Sequence, residues 1–196
     1  MPEGVRPRVA VFVGTKGRGT NMASLIAACL GGDVPAEPAL VVSPKAGTPA
    51  AIRANSLGVR VAVVPRDEGY ADGLRHLLQE ERIEVVCLAG YMTLLPAEVV
   101  REYRGRILNI HPALLPKFGG KGMYGIAVHE AVLAAGEKES GCSVHFVTEV
   151  YDEGEVLLQK RCAVLPGDTP ETLADRVLDL EHTAYPEALK LLVSRL

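Results

Sequence analysis

A chain of 196 residues with 48% apolar and 23% charged side chains has the composition of an ordinary globular protein, long enough to bury one substantial core. A formal net charge of -3 offers no basic excess for a nucleic-acid partner, and the lack of tryptophan removes the usual stacking platform for single strands. No apolar run reaches membrane-spanning length and Met1–Arg8 carries no apolar signal core, so neither a membrane partner nor export is expected, and a cytoplasmic location is.

Taken in chain order, short β-branched runs alternate with longer amphipathic segments. Val9–Val13 reads as a strand, Asn21–Leu30 as a helix stopped by Gly31 and Gly32, and Ala39–Ser43 as a second strand. A helix over Pro49–Leu57, a strand over Val59–Val64 and a helix over Tyr70–Glu81 follow. Glu84–Ala89, a helix near Pro96–Tyr103, and Arg106–His111 complete five strands separated by helices, the rhythm of a mostly parallel sheet covered on both faces. The rhythm then changes. Lys117–Tyr124 reads as a Gly-rich loop and Gly125–Ala135 as a helix. Cys142–Val150 and Val156–Leu165 suit a hairpin, and Thr169–Leu196 a closing helical region that Pro186 is expected to bend or restart. The expected fold is α/β, an open and mostly parallel twisted sheet with a C-terminal hairpin and closing helix, in a single domain over 1–196. Cys29, Cys87, Cys142 and Cys162 form no C-x-x-C pair and read as buried thiols of a reducing compartment.

The first strand runs into Gly14-Thr15-Lys16-Gly17-Arg18-Gly19-Thr20-Asn21 and then a helix. Glycines let a ligand approach the backbone, and the helix N-terminus offers free N–H groups, so an anion site is expected with Thr20 or Asn21 as a side-chain donor; the alternative is a plain turn capped by Thr20. The loop lacks the Gly-Lys-Ser/Thr ending of a P-loop. Met22 stands where a dinucleotide fingerprint needs glycine, and the second strand ends Ser43-Pro44-Lys45 without an acidic residue. A simple phosphoester is therefore preferred to NAD.

Of the five histidines, His76 reads as a surface residue and His129 as structural; no zinc spacing is present and no metal is expected. His111 ends the fifth strand in Leu108-Asn109-Ile110-His111-Pro112, where residues two apart share a face, so Asn109 and His111 project together. Strand ends of an open α/β sheet border the ligand crevice. An amide that donates to an oxyanion beside an imidazole that exchanges protons suits acyl chemistry. Strand geometry alone leaves a satisfied core histidine equally open. Asp152, in Tyr151-Asp152-Glu153-Gly154, reads locally as a turn residue, while a carboxylate near an imidazole would favour its protonated form.

Asn109-Ile110-His111-Pro112-Ala113-Leu114-Leu115-Pro116 resembles the N-I-H-P-S-L-L-P segment of the folate-dependent formyltransferases, and Gly141–Val147 leading to Asp152-x-Gly154 resembles the signature before their catalytic aspartate. Gly17–Asn21, Cys87–Met92 and Glu181-His182-x-x-Tyr185-Pro186 resemble segments of those members that formylate glycinamide ribonucleotide; the likeness runs from about Arg8 to Leu192. The resemblance implies a Rossmann-like fold and transfer of formyl from 10-formyltetrahydrofolate to the amine of phosphoribosylglycinamide, without a metal. It implies a catalytic trio of Asn109, His111 and Asp152, with Asp152 keeping His111 protonated. It places the ribonucleotide at Gly19, Thr20, Asn21, Leu178, Asp179, Leu180 and Glu181. Folate contacts would fall on Asp67, Met92, Thr93, Leu94, Leu95, Asn109, Thr148, Glu149, Val150, Tyr151 and Asp152. The partners are small molecules, and the resemblance admits a homodimer. Thr93 and Asp67 stand where the family often has arginine, with Arg66 beside the second, and Ala113 replaces its usual serine.

Rivals within the family are the folate deformylase, which would need an N-terminal regulatory domain, and the tRNA-formylating enzyme, which would need a further C-terminal domain and a basic surface. Neither domain is expected in this chain. A nucleotide-binding redox module is the rival outside it.

Overall fold

The computed structural model describes residues 6–196. The reading of Met1–Val5 as part of a segment without a signal core lies outside the described residues. Seven strands form one sheet in the order β3-β2-β1-β4-β5-β6-β7. These are β1 (Arg8–Val13), β2 (Glu37–Ser43), β3 (Val61–Val63), β4 (Val85–Ala89), β5 (Ile107–His111), β6 (Glu139–Phe146) and β7 (Val156–Ala163). The first five pair in parallel; β6 and β7 are antiparallel, and β6 lies against β5. The helices are α1 (Thr20–Leu30), α2 (Pro49–Ser56), α3 (Tyr70–Glu80), α4 (Ala97–Glu102), α5 (Ile126–Ala134) and α6 (Pro170–Val193).

Alternation along β1 builds both layers. Val9, Val11 and Val13 pack with Leu25 and Ile26 of α1 and with Val177 and Tyr185 of α6 on one face. Ala10 and Phe12 pack with Leu74 and Leu78 of α3 and Val99 of α4 on the other. All four cysteines are free thiols, and burial pushes Cys29 up to about 11 and Cys142 up to about 12. Among the described residues no helix is long and apolar enough to cross a membrane.

Two expectations change. The penultimate strand spans Glu139–Phe146 instead of Cys142–Val150. Its polar start pairs with β7, Glu139 opposite Ala163, whereas Val147 and Val150 are apolar because they line a cavity. The closing helix runs without a break through Pro186, so it does not restart there. Packing of α6 against both α1 and the sheet outweighs the backbone bond that the missing proline N–H removes.

Tyr185 ties this helix to the sheet. Its hydroxyl, fully buried, lies 2.9 Å from the Leu88 carbonyl oxygen and 3.0 Å from that of Leu108, on adjacent strands. Tyr185→Phe removes the one O–H that these two carbonyls share and is expected to cost about 1–3 kcal/mol, read as a lower urea midpoint at unchanged slope.

Candidate active site

The chain leaves β1 for β2 on one side and returns to β4 on the other, which opens a crevice at the C-terminal ends of β1 and β4. There a Cβ on Gly14 would meet the Gly90 carbonyl oxygen at 2.3 Å, so the two loops touch backbone to backbone. Gly19 (φ 71°), not Thr20, is the N-cap of α1, and no side chain caps the helix. The capping alternative for Thr20 is thereby corrected, and the first-turn N–H groups have no side-chain acceptor.

Strand β5 presents Asn109 and His111, and the antiparallel register of β6 sets His145 opposite Asn109 and Ser143 opposite His111. The Phe118 carbonyl can only accept, so His111 Nε2–H donates to it at 2.7 Å. His111 Nδ1 then faces Asp152 Oδ2 at 3.7 Å. By the same logic His145 Nδ1–H donates to the Phe146 carbonyl at 2.9 Å. Its Nε2 accepts from Asn109 Nδ2 at 3.1 Å and lies 3.4 Å from Asp152 Oδ1. The Gly120 N–H donates to Asp152 Oδ2 at 2.9 Å. Ser143 pins the segment after His111, donating to the Ala113 carbonyl at 2.6 Å and accepting from the Leu115 N–H at 3.0 Å. Ala113 itself is fully buried and lines neither cavity described below.

Asp152 adopts φ 56°, and a Cβ on Gly154 would fall 1.6 Å from the Phe146 carbonyl oxygen, so the Asp-x-Gly turn needs its glycine. Burial would raise the Asp152 carboxyl, but His145, the Gly120 N–H and His111 together hold it below its ordinary value. Burial of the His111 ring pushes its pKa down, and Asp152 and the Phe118 carbonyl act in the opposite direction.

Asn109, His111 and Asp152 line a cavity of about 620 Å³ together with Asn21, Leu178 and Glu181. Met92 borders this cavity as well. A narrower second cavity shares Asn109, Tyr151 and Asp152 and is walled by Thr93, Leu94, Leu95, Thr148 and Val150. The buried Thr93 hydroxyl has no protein partner among the described residues. Gly19, Thr20, Asp67, Glu149, Asp179 and Leu180 line neither cavity. Leu180 packs against the core, and the Glu149 carboxylate lies 3.7 Å from Arg101.

The Asn21 side chain is also placed differently from expectation. Its Nδ2 donates to Glu181 Oε2 at 2.7 Å, and its Oδ1 is buried without a protein partner among the described residues. One of the two amide N–H groups of Asn21 is thus engaged by Glu181, and the other remains to donate. Glu181 is buried, and burial pushes its carboxyl up to about 7 against the opposing pull of Asn21.

Sequence reasoning missed three residues. His145 joins Asn109 to Asp152; its signal was that Ser143 and His145 are polar residues two apart in an otherwise apolar run. His129, read as structural, is buried yet lines the large cavity, with Nδ1 unpartnered among the described residues. Arg18 lines the same cavity from within the glycine-rich loop, where a cation near expected phosphate was the available signal.

An open α/β sheet covered by helices on both faces thus gathers an amide, an imidazole and a carboxylate at its crevice. Residues 7–189 match the formyl transferase family, and the chain belongs to that family. It is 44% identical over 190 residues to the chloroplastic phosphoribosylglycinamide formyltransferase of Arabidopsis thaliana, a match covering 94% of this chain and 64% of that protein. The chain thus spans less than two thirds of that relative's length. The crystal structure of phosphoribosylglycinamide formyltransferase from Brucella melitensis is similar at TM-score 0.88 and 42% identity, covering 97% of each chain. A formyltetrahydrofolate deformylase from Pseudomonas syringae shares the fold at TM-score 0.85 and 23% identity, over 98% of this chain and 63% of that one.

Proposed function

We propose that the chain transfers the formyl group of 10-formyltetrahydrofolate to the amine of phosphoribosylglycinamide, a step of purine biosynthesis. One observation carries this reading. The Asn21–Glu181 pair and the Asn109–His111–Asp152 trio line one cavity, and Asn109 and Asp152 also line the second. An acceptor in the first cavity and a formyl donor in the second would meet at those shared residues. The apolar walls of the second and its Thr93 hydroxyl, without a protein partner among the described residues, would face a flat heteroaromatic ring with a polar edge once this cavity of about 40 Å³ widens to admit it.

In this reading the uncharged amine attacks the formyl carbon and the carbonyl oxygen becomes an oxyanion. One Asn109 amide N–H is taken by His145, which leaves the second for the oxyanion. The Phe118 carbonyl holds the His111 ring with Nδ1 toward Asp152, so a proton taken up at Nδ1 lies beside the developing charge. As the C–N10 bond breaks, the amine has lost one proton and N10 has gained one. Asp152, ionised and within reach of both histidines, is the group placed to relay it through water.

A thermal-shift screen tests the pairing of ligands. Tetrahydrofolate and ribose 5-phosphate are each expected to raise the melting temperature, and NAD is not. Stabilisation by NAD alone would replace this reading with the redox module.

A further inference from the structure

Tyr91 follows the end of β4 and lines both cavities, beside the residues shared at the reaction centre. Its ring is held from three sides. Phe12 meets it edge-on at 5.7 Å between centroids, and the Arg66 guanidinium lies 4.5 Å over its centroid. The Tyr91 hydroxyl lies 2.7 Å from that of Tyr70, the first residue of α3. Burial first, and then the bond to Tyr91, push the Tyr70 phenol up. Tyr70 lines neither cavity, and nothing assigned to the reaction explains the pair.

We infer that Tyr70 is a positioning residue: through its hydroxyl bond to Tyr91, with Arg66 stacked on the ring, it fixes the aromatic wall common to the two cavities. The inference rests on the formyl-transfer reading for its ligand. Without the bond the Tyr91 ring keeps its edge contact with Phe12 but loses the tether that sets its tilt. The folate side suffers first, because the narrower cavity tolerates a displaced ring least.

Tyr70→Phe and Tyr91→Phe each remove one hydroxyl and keep the ring. Each is expected to raise the KM for 10-formyltetrahydrofolate and the Kd for tetrahydrofolate about fivefold, with kcat within about twofold. Because both remove the same bond, the double variant should be no worse than either single one. Arg66→Ala should weaken tetrahydrofolate in the same direction, with both hydroxyls intact. Unchanged Kd in the single variants beside a lowered melting temperature would make the pair merely structural and overturn the inference. Multiplied effects in the double variant would overturn it too. A wild-type protein that fails to bind tetrahydrofolate would overturn the functional reading itself, an outcome distinct from equal binding by wild type and Tyr70→Phe.

Discussion

His111→Ala is expected to lower kcat by at least about 100- to 1,000-fold with little change in KM, since an oxyanion donor acts mainly in the transition state. The substitution also strands the Phe118 carbonyl, so the melting temperature is measured alongside turnover. Asp152→Asn should fall as far. Asparagine tolerates the left-handed backbone at that position and can still accept the Gly120 N–H, so the turn is retained. It also removes the charge that opposes the burial of His111. Since Asp152 raises the His111 pKa, its loss moves the His111 limb of the pH–rate profile to lower pH. Near-normal turnover in either well-folded variant would remove the trio from the chemistry.

Glu181→Gln is expected to stabilise the unliganded protein at pH 8. The Glu181 carboxyl is raised from 4.5 to about 7 in the fold, so its stabilising contribution is complete below about pH 4.5 and is lost as pH rises toward 7. A shift of that size corresponds to about 3 kcal/mol, an order-of-magnitude figure for so buried a group. His111 and His129 are pushed down and give slopes of the opposite sign, so the wild-type curve alone mixes the three. The difference between wild type and Glu181→Gln isolates Glu181. It should be near zero at pH 4 and grow through pH 7, read by urea denaturation. The same substitution should weaken phosphoribosylglycinamide, because it removes charge from the buried acceptor pair lining the cavity. A difference that stays flat with pH would mean Glu181 is ionised at no cost, already paired in the free protein.

The three substitutions divide the site into a part that was legible in sequence and a part that was not. Asn109 and His111 sit two apart at a strand end, and strand periodicity alone puts both on one face. The β–α rhythm likewise puts the Gly14–Asn21 loop at a strand end, but its backbone contact with Gly90 follows from β4 lying beside β1, which local pattern does not state. Asp152 reached the site only through the likeness of its flanking segment to a family signature, since an Asp-x-Gly turn looks the same wherever it folds. The bonds made across the fold were invisible. Asn21 meets Glu181 across 160 positions, and no local pattern says that one N–H of this amide is engaged by a carboxylate. The place of His145 depends on β6 running antiparallel to β5, which composition does not encode. The pull of Asp152 on His111 can be read from residue types, whereas the depth of burial that opposes it cannot. Val147 and Val150 misplaced the end of β6 for a related reason: an apolar residue facing a cavity looks like one facing a core.

Release of tetrahydrofolate from 10-formyltetrahydrofolate, followed with and without phosphoribosylglycinamide, tests the proposed activity most directly. The proposal predicts release that depends on the ribonucleotide and matches the formylated product one for one. Release at the same rate without the ribonucleotide would contradict it and make the chain a deformylase.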